Sequence, residues 1–307
     1  MGTFYVQHEY WFSVFQLVTA MIGMGATLTP KDFKELLLEP KAVSSGTAIQ
    51  IIIVPLVAYA FISLFGLAGG VAVGLALIAS VPGGSTSNIF THFARGNIAL
   101  SVAITAVTTL ACLFTTPFIL DLLIENYMPA DFVMPKGHIM KEITLTLLLP
   151  LALGMLYLRF FPGTAELFSK WAIRTSMFGL LMIVVGASAS GRLDLEVFGL
   201  GNVALIVLFI AVLALVSWLI SWGVLSLSHA DATAVDMEVV VRNINLGLML
   251  KALLFPAVLG QVDPIGDMVL LALLLYGGLQ LFVAAAIITV RRKTAGKRID
   301  NESLLTD

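Results

Sequence analysis

The sequence predicts an all-α polytopic membrane protein with nine transmembrane helices, two of them broken in mid-span. Three observations carry this expectation. Of 307 residues, 59% are hydrophobic and 12% charged, against roughly 25% charged in a soluble protein; the mean hydropathy is +1.00. Largely apolar stretches of bilayer-spanning length recur near 10–28, 42–68, 70–94, 97–124, 138–160, 167–190, 198–228, 232–255 and 264–290. Two of these are interrupted by polar islands, Pro82-Gly83-Gly84-Ser85-Thr86-Ser87-Asn88 and Met237 to Gly247. Broken spans in the two halves of a chain point to the ion and solute site of a secondary transporter.

Lysine and arginine placement orients the spans. With nine alternating spans, Lys31, Lys34, Lys41, Arg95, Arg159, Lys170, Arg291, Arg292, Lys293, Lys297 and Arg298 share one face. Only Lys136, Lys141, Arg192 and Lys251 lie on the other, while Arg174 and Arg242 fall within spans. The C-terminus is therefore expected in the cytoplasm and the N-terminus outside, and this bias favours nine spans over eight or ten. The N-terminus has no basic leader before its first span, so no cleavable signal is expected. The single cysteine, Cys112, excludes an internal disulfide.

Taken in order, the first span stops at Pro30-Lys31. The second carries Gln50, which must face the protein interior to be satisfied in mid-membrane, and Pro55, which is expected to kink it. The third breaks at Pro82-Gly83-Gly84; Ser85, Thr86, Ser87 and Asn88 are types that cap a new helix, which should end at Arg95-Gly96 with glycine as its cap. The fourth opens with Ser101 and Thr105, stacked on one face by their spacing of four. Those hydroxyls either bond back to the preceding turn or face a site. Span five contains Pro150, and span six the small-residue string from Gly186 to Gly191, suited to close helix packing. No metal-ligand spacing, nucleophile elbow or phosphate loop is present, so no enzyme and no nucleic-acid partner is expected.

The second island crowds Asp236, Glu238, Arg242, Asn243 and Asn245 into ten residues of a span. Glu238 and Arg242, four apart, fall on one helical face and form either a structural ion pair or part of a functional site. The run Val239-Val240-Val241 with Asn243 and Gly247 is weakly helical. Unwinding there would free carbonyls for a cation, and irregular backbone is tolerated at that depth only where it is buried or lines a cavity. Two half-helix N-termini would converge, favouring an anion. Binding of a cation and an anion together is the expectation.

These residues resemble the bile acid:sodium symporters and their bacterial homologues, over essentially the whole chain. The most specific parts are the Pro82–Asn88 island, Ala99-Leu100-Ser101-Val102, and Glu238 followed at i+5 by Asn243. The resemblance implies a panel domain over 10–28 and 138–190, and a core domain over 42–125 and 198–292. In that core an inverted repeat crosses two broken helices; a cytoplasmic tail covers 293–307. Bacterial members usually have ten spans, and this chain looks like the nine-span form. The first sodium site of the family maps onto Ser87, Asn88, Ser101, Thr105 and Glu238. Its second would use Gln50, Glu238 and carbonyls near Val239 and Val241, but Arg242 stands where glutamine is usual.

A guanidinium carries a fixed charge and only donors. Arg242 is therefore expected to replace the second Na+, pairing Glu238 and Gln50, with Asp236 as compensating acid, so that one Na+ is coupled. Ser85, Thr86 and Asn243, at the half-helix N-termini, are the expected contacts of an organic anion, bile acid-like or a smaller carboxylate. The expected protein is a sodium-coupled symporter of a prokaryotic plasma membrane, with the lipid bilayer as its surroundings. The alternatives are a sodium-independent or proton-coupled carrier, with Asp236 or Glu238 protonatable, and a membrane ligand sensor.

Overall fold

A computed structural model describes residues 2–29, 40–67, 69–128 and 131–303, with backbone alone for 40 and 294–303. Pro30, Lys31 and Lys34 of the first loop, the side chains of Lys297 and Arg298, and residues 304–307 lie outside the described residues. The helices are α1 Gly2–Gly25, α2 Lys41–Leu64, α3 Gly69–Ser80, α4 Thr86–Phe93, α5 Ile98–Ile124 and α6 Lys136–Phe160. They continue as α7 Pro162–Ala189, α8 Leu195–Phe198, α9 Leu200–Val224, α10 His229–Val240, α11 Ile244–Leu254 and α12 Pro264–Ser303. Six of them, α2, α5, α6, α7, α9 and α12 as far as Lys293, are long and apolar enough to cross a membrane. The region expected as a tail after 293 continues α12 as helix to Ser303.

Both prolines follow widened turns. Pro55 follows a π-helical turn at Ile49–Ile53, and Pro150 follows another at Thr144–Leu148. A proline lacks the N–H of its turn, and a π turn absorbs the resulting mismatch within a continuous helix. The first of these turns contains Gln50, which is buried.

Both islands break their helices. α3 ends at Ser80 and α4 starts at Thr86; α10 ends at Val240 and α11 starts at Ile244. The two breaks meet, Gly83 lying antiparallel to Arg242 in an isolated β-bridge. Gly84 N–H donates to the Val241 carbonyl at 2.8 Å and Asn243 N–H to the Pro82 carbonyl at 2.9 Å. Unwound backbone at membrane depth must find partners within the protein, and each break supplies them to the other. The end of α4 differs from expectation. Arg95, not Gly96, takes the left-handed conformation, with φ of 59°. The space beside Gly96 is filled by Thr91 and Thr233.

α1 packs along α7 and the second half of α6, and reaches the remaining helices chiefly through α11. In lipid such contacts depend on close packing and hydrogen bonds rather than on hydrophobic burial. Ser169 and Ser176 accordingly donate to the Gly23 and Gln16 carbonyls, each at 2.7 Å. A Cβ on Gly25 would lie 2.1 Å from the Leu151 carbonyl oxygen, and one on Gly154 2.2 Å from that of Ile22. Gly154→Leu should therefore lose about 1–3 kcal/mol, read as a lower thermal midpoint. Gly163→Ala, where nothing lies within 4 Å, should leave that midpoint unchanged.

Candidate ion and solute site

At the crossing, side chains from α2, α4, α5 and α10 converge on one carboxylate. Glu238 is fully buried on the last turn of α10. Its Oε1 faces the hydroxyls of Ser101 at 2.7 Å, Thr105 at 2.8 Å and Ser87. Ser101 and Thr105 also face Asn88 Oδ1, at 2.8 and 3.4 Å, while Ser87 faces the Gly84 carbonyl at 2.6 Å. Each hydroxyl thus meets two acceptors with a single proton to donate. The three protons do not serve all six acceptor contacts, a shortfall that a cation among the oxygens, or a proton on Glu238, would make up. One carboxylate, three hydroxyls and an amide oxygen form a donor set for a hard cation. Among the described residues no three His, Cys, Asp or Glu side chains group as metal ligands.

Back-bonding does not account for Ser101 and Thr105, because both hydroxyls point into this cluster. Glycine at 83 is required by close approach: a Cβ there would lie 2.3 Å from Glu238 Oε2.

The second region differs from expectation. Arg242 and Glu238 do not form an ion pair; among the described residues Arg242 appears in none. α10 ends at Val240 and Val241 is extended, with φ −93° and ψ 95°, so the four-residue spacing no longer places the two side chains on one face. Gln50 connects them instead. Its Oε1 accepts from Arg242 Nη1 at 3.0 Å and from Gly83 N–H at 2.9 Å, and its Nε2 donates to Glu238 Oε2 at 3.3 Å. The guanidinium is turned to the C-terminal end of α3, bonding the carbonyls of Ile78 and Ala79, each at 3.2 Å, and of Val81. Terminal helix carbonyls and the negative end of the helix dipole favour a cation there. The Val241 carbonyl is engaged by Gly84, and Val239, within α10, is buried beside it.

Asp236 is not the compensating acid. It accepts from Ser217 at 2.7 Å and Ser221 at 3.1 Å and pairs with Arg291 of α12, whose guanidinium lies over the Trp222 ring at 4.7 Å. Arg291, assigned by sequence to the tail's basic run, is thus a buried partner.

Ser85 and Thr86 open α4 half-buried, and the Ser85 hydroxyl does not cap the helix. Asn243 does cap α11, its Oδ1 accepting from Leu246 N–H at 3.2 Å. The three lie on either side of the bridge between the breaks.

Charge counting by loops missed one cluster. Lys251, counted among the charges of the outer face, is fully buried in α11 and donates to Glu9 of α1 at 2.8 Å. The sequence signal was a lysine inside the apolar α11, facing a glutamate eight residues into the first helix. Gln280 was also missed; it accepts from Arg242 N–H at 2.8 Å and steadies the break.

Residues 14–197, more than half of the chain, match the Sodium Bile acid symporter family. The chain is 31% identical to the uncharacterized sodium-dependent transporter YocS of Bacillus subtilis (strain 168), over 75% of its own length and 70% of that protein. It is 40% identical over 48% of its length to the probable chloroplastic sodium/metabolite cotransporter BASS1 of Oryza sativa subsp. japonica, and 29% identical over 76% to BASS1 of Arabidopsis thaliana. The alignments span 36% and 57% of those two plant proteins.

Proposed function

Because the chain belongs to the sodium bile acid symporter family, we propose that it moves an organic anion by sodium-coupled symport, with alternating access about the crossing. It is a membrane transporter rather than an enzyme. The observation that carries the reading is the cluster around Glu238 Oε1, where acceptor contacts outnumber the hydroxyl protons available and a sodium ion would supply the missing positive charge. Ser87, Asn88, Ser101, Thr105 and Glu238 are the sodium ligands in this reading, and the ion is cargo.

Arg242 serves as a tethered cation in place of a second sodium ion. Its bonds to Gln50 and to three carbonyls at the end of α3 support this role. Charge balance then links ion to solute. Asp236 is neutralised by Arg291, so Glu238 and Arg242 sum to zero, and one Na+ makes the buried crossing +1. An anion at Ser85, Thr86 and Asn243 restores neutrality, assisted by the half-helix N-termini. The site thus favours both ligands together, and each raises the affinity of the other. A proton-coupled reading has lost Asp236, which is committed to Arg291.

In the membrane the chain has nine spans, α3–α4 and α10–α11 each counting as one, with the N-terminus outside and the C-terminus in the cytoplasm. α1, α6 and α7 form the panel; α2–α5 and α9–α12 form the core, two inverted repeats. The packing of α1 on α6 and α7 supports this division, and a bacterial plasma membrane is the expected location.

Sodium at about 100 times its dissociation constant should stabilise the detergent-solubilised protein by about 2.7 kcal/mol over potassium buffer. The carboxylate giving the largest further shift should accumulate in proteoliposomes under an inward sodium gradient. Equal accumulation in potassium would refute coupling and leave a facilitator; binding without accumulation would leave a sensor.

A further inference from the structure

Building on the panel-and-core topology just described, we propose that Glu9, Lys251, Arg192 and Asp267 form the outer gate of this carrier. In this role they are an ion-pair clamp, closed when the carrier faces inward and separated into water when it faces outward. Glu9 lies on α1, in the panel. Lys251 lies on α11 and Asp267 on the first turn of α12, both in the core. Arg192 follows the end of α7. Lys251 Nζ meets Glu9 Oε1 at 2.8 Å, Arg192 Nη1 meets the same oxygen at 2.9 Å, and Arg192 Nε pairs with Asp267. Tyr5 donates to Glu9 Oε1 at 3.3 Å. Every charge in the cluster is thus matched across the boundary between the two bodies.

The burial is extreme for such groups: Lys251 is 0% exposed and Glu9 3%. Immediately outside lies a cavity of about 520 Å³ lined by Gly2, Val6, Arg192, Asp267 and the 256–263 loop, so water reaches the edge of the cluster. The same boundary is closed again by Lys136 pairing with Asp121, on the face assigned to the outside. Below the clamp, Gln16 donates to the Asn245 carbonyl at 2.9 Å. α11 therefore carries Asn243 at the solute site and Lys251 in the clamp, about 12 Å apart along one rigid rod. Movement of α11 with bound solute and opening of the clamp are mechanically one event.

Ion pairs suit a surface that must part. A buried pair adds little net stability, because its desolvation cost offsets the attraction, and separation into water returns that cost. Closed and open states then lie close in free energy, as a two-state element requires. An apolar seam of the same shape would favour closure alone. Removing one partner leaves a buried unpaired charge, which favours opening.

The test uses the full-length carrier in sealed vesicles, with Cys112→Ala removing the native thiol and Ser13→Cys placed on the buried face of α1. Labelling by a membrane-impermeant maleimide added outside reports opening. Glu9→Gln should raise the labelling rate about tenfold, since Lys251 then lacks its carboxylate. The double variant Glu9→Met with Lys251→Met should label more slowly than the parent and transport more slowly. Unchanged labelling in Glu9→Gln, or faster labelling in the double variant as in the single, would overturn the gate. A Thr3→Cys reporter, exposed at the start of α1, separates the two readings. If it labels only from inside, the topology is inverted and the cluster is not an outer gate.

Discussion

Glu238→Ala should abolish sodium-driven uptake while the protein still inserts in the membrane. Glu238 Oε1 is the shared acceptor for Ser87, Ser101 and Thr105. Removing it leaves three hydroxyls and the Asn88 oxygen with no negative charge to offset a cation. Losing one partner of a buried charged contact costs about 3–5 kcal/mol, which corresponds to a sodium affinity lower by about two to three and a half orders of magnitude. Glu238→Gln is the sharper variant, because it keeps the size and one acceptor and removes only the charge. Sodium titrations followed by thermal shift should show a midpoint about 100-fold higher for the glutamine variant, while solute binding in potassium should tighten, because Arg242 alone then leaves the crossing at +1. Full-rate, sodium-dependent uptake by Glu238→Ala would disprove the site.

Arg242→Gln should raise the sodium stoichiometry from one to two. The guanidinium lies against the carbonyls of Ile78, Ala79 and Val81 and against Gln50. A glutamine would vacate a space lined by carbonyl oxygens at the negative end of α3, and a free cation could restore the lost charge. The Hill coefficient for sodium should rise from about one toward two, and charge moved per solute should rise with it. Arg242→Met removes the charge and supplies no ligand, so carbonyls at the break are left unsatisfied. That variant should lose several kcal/mol of stability, at about 1–3 kcal/mol per buried acceptor. A coefficient that stays at one in Arg242→Gln, with uptake intact, would show that the arginine does not stand in for an ion.

The two breaks were legible because Pro82-Gly83-Gly84 and the Val239–Asn245 stretch interrupt otherwise unbroken apolar runs. Membrane helices tolerate such composition only for a reason. The oxygen types around Glu238 were legible by resemblance, and their convergence is a tertiary fact. The errors have separate causes. The pairing of Arg242 with Glu238 assumed a helical repeat that ends at Val240, so the arginine reaches the end of α3 and Gln50 becomes the link. Asp236 was assigned to the site by nearness in sequence, but two residues along a helix is about 200° of rotation, so it points away from Glu238 and toward Arg291. Lys251 was counted among the charges of the outer face although it lies inside the span over 232–255, because its partner, 242 residues away, is invisible in the local sequence.

Composition and pattern alone were sufficient for a helical membrane protein with two interrupted spans, because local apolarity and helix-breaking residues act within a few positions of themselves. Which charge meets which was settled by folding. In a medium without water, a charged side chain takes whichever opposite charge or carbonyl the packing brings near, and those partners come from helices far apart in the chain.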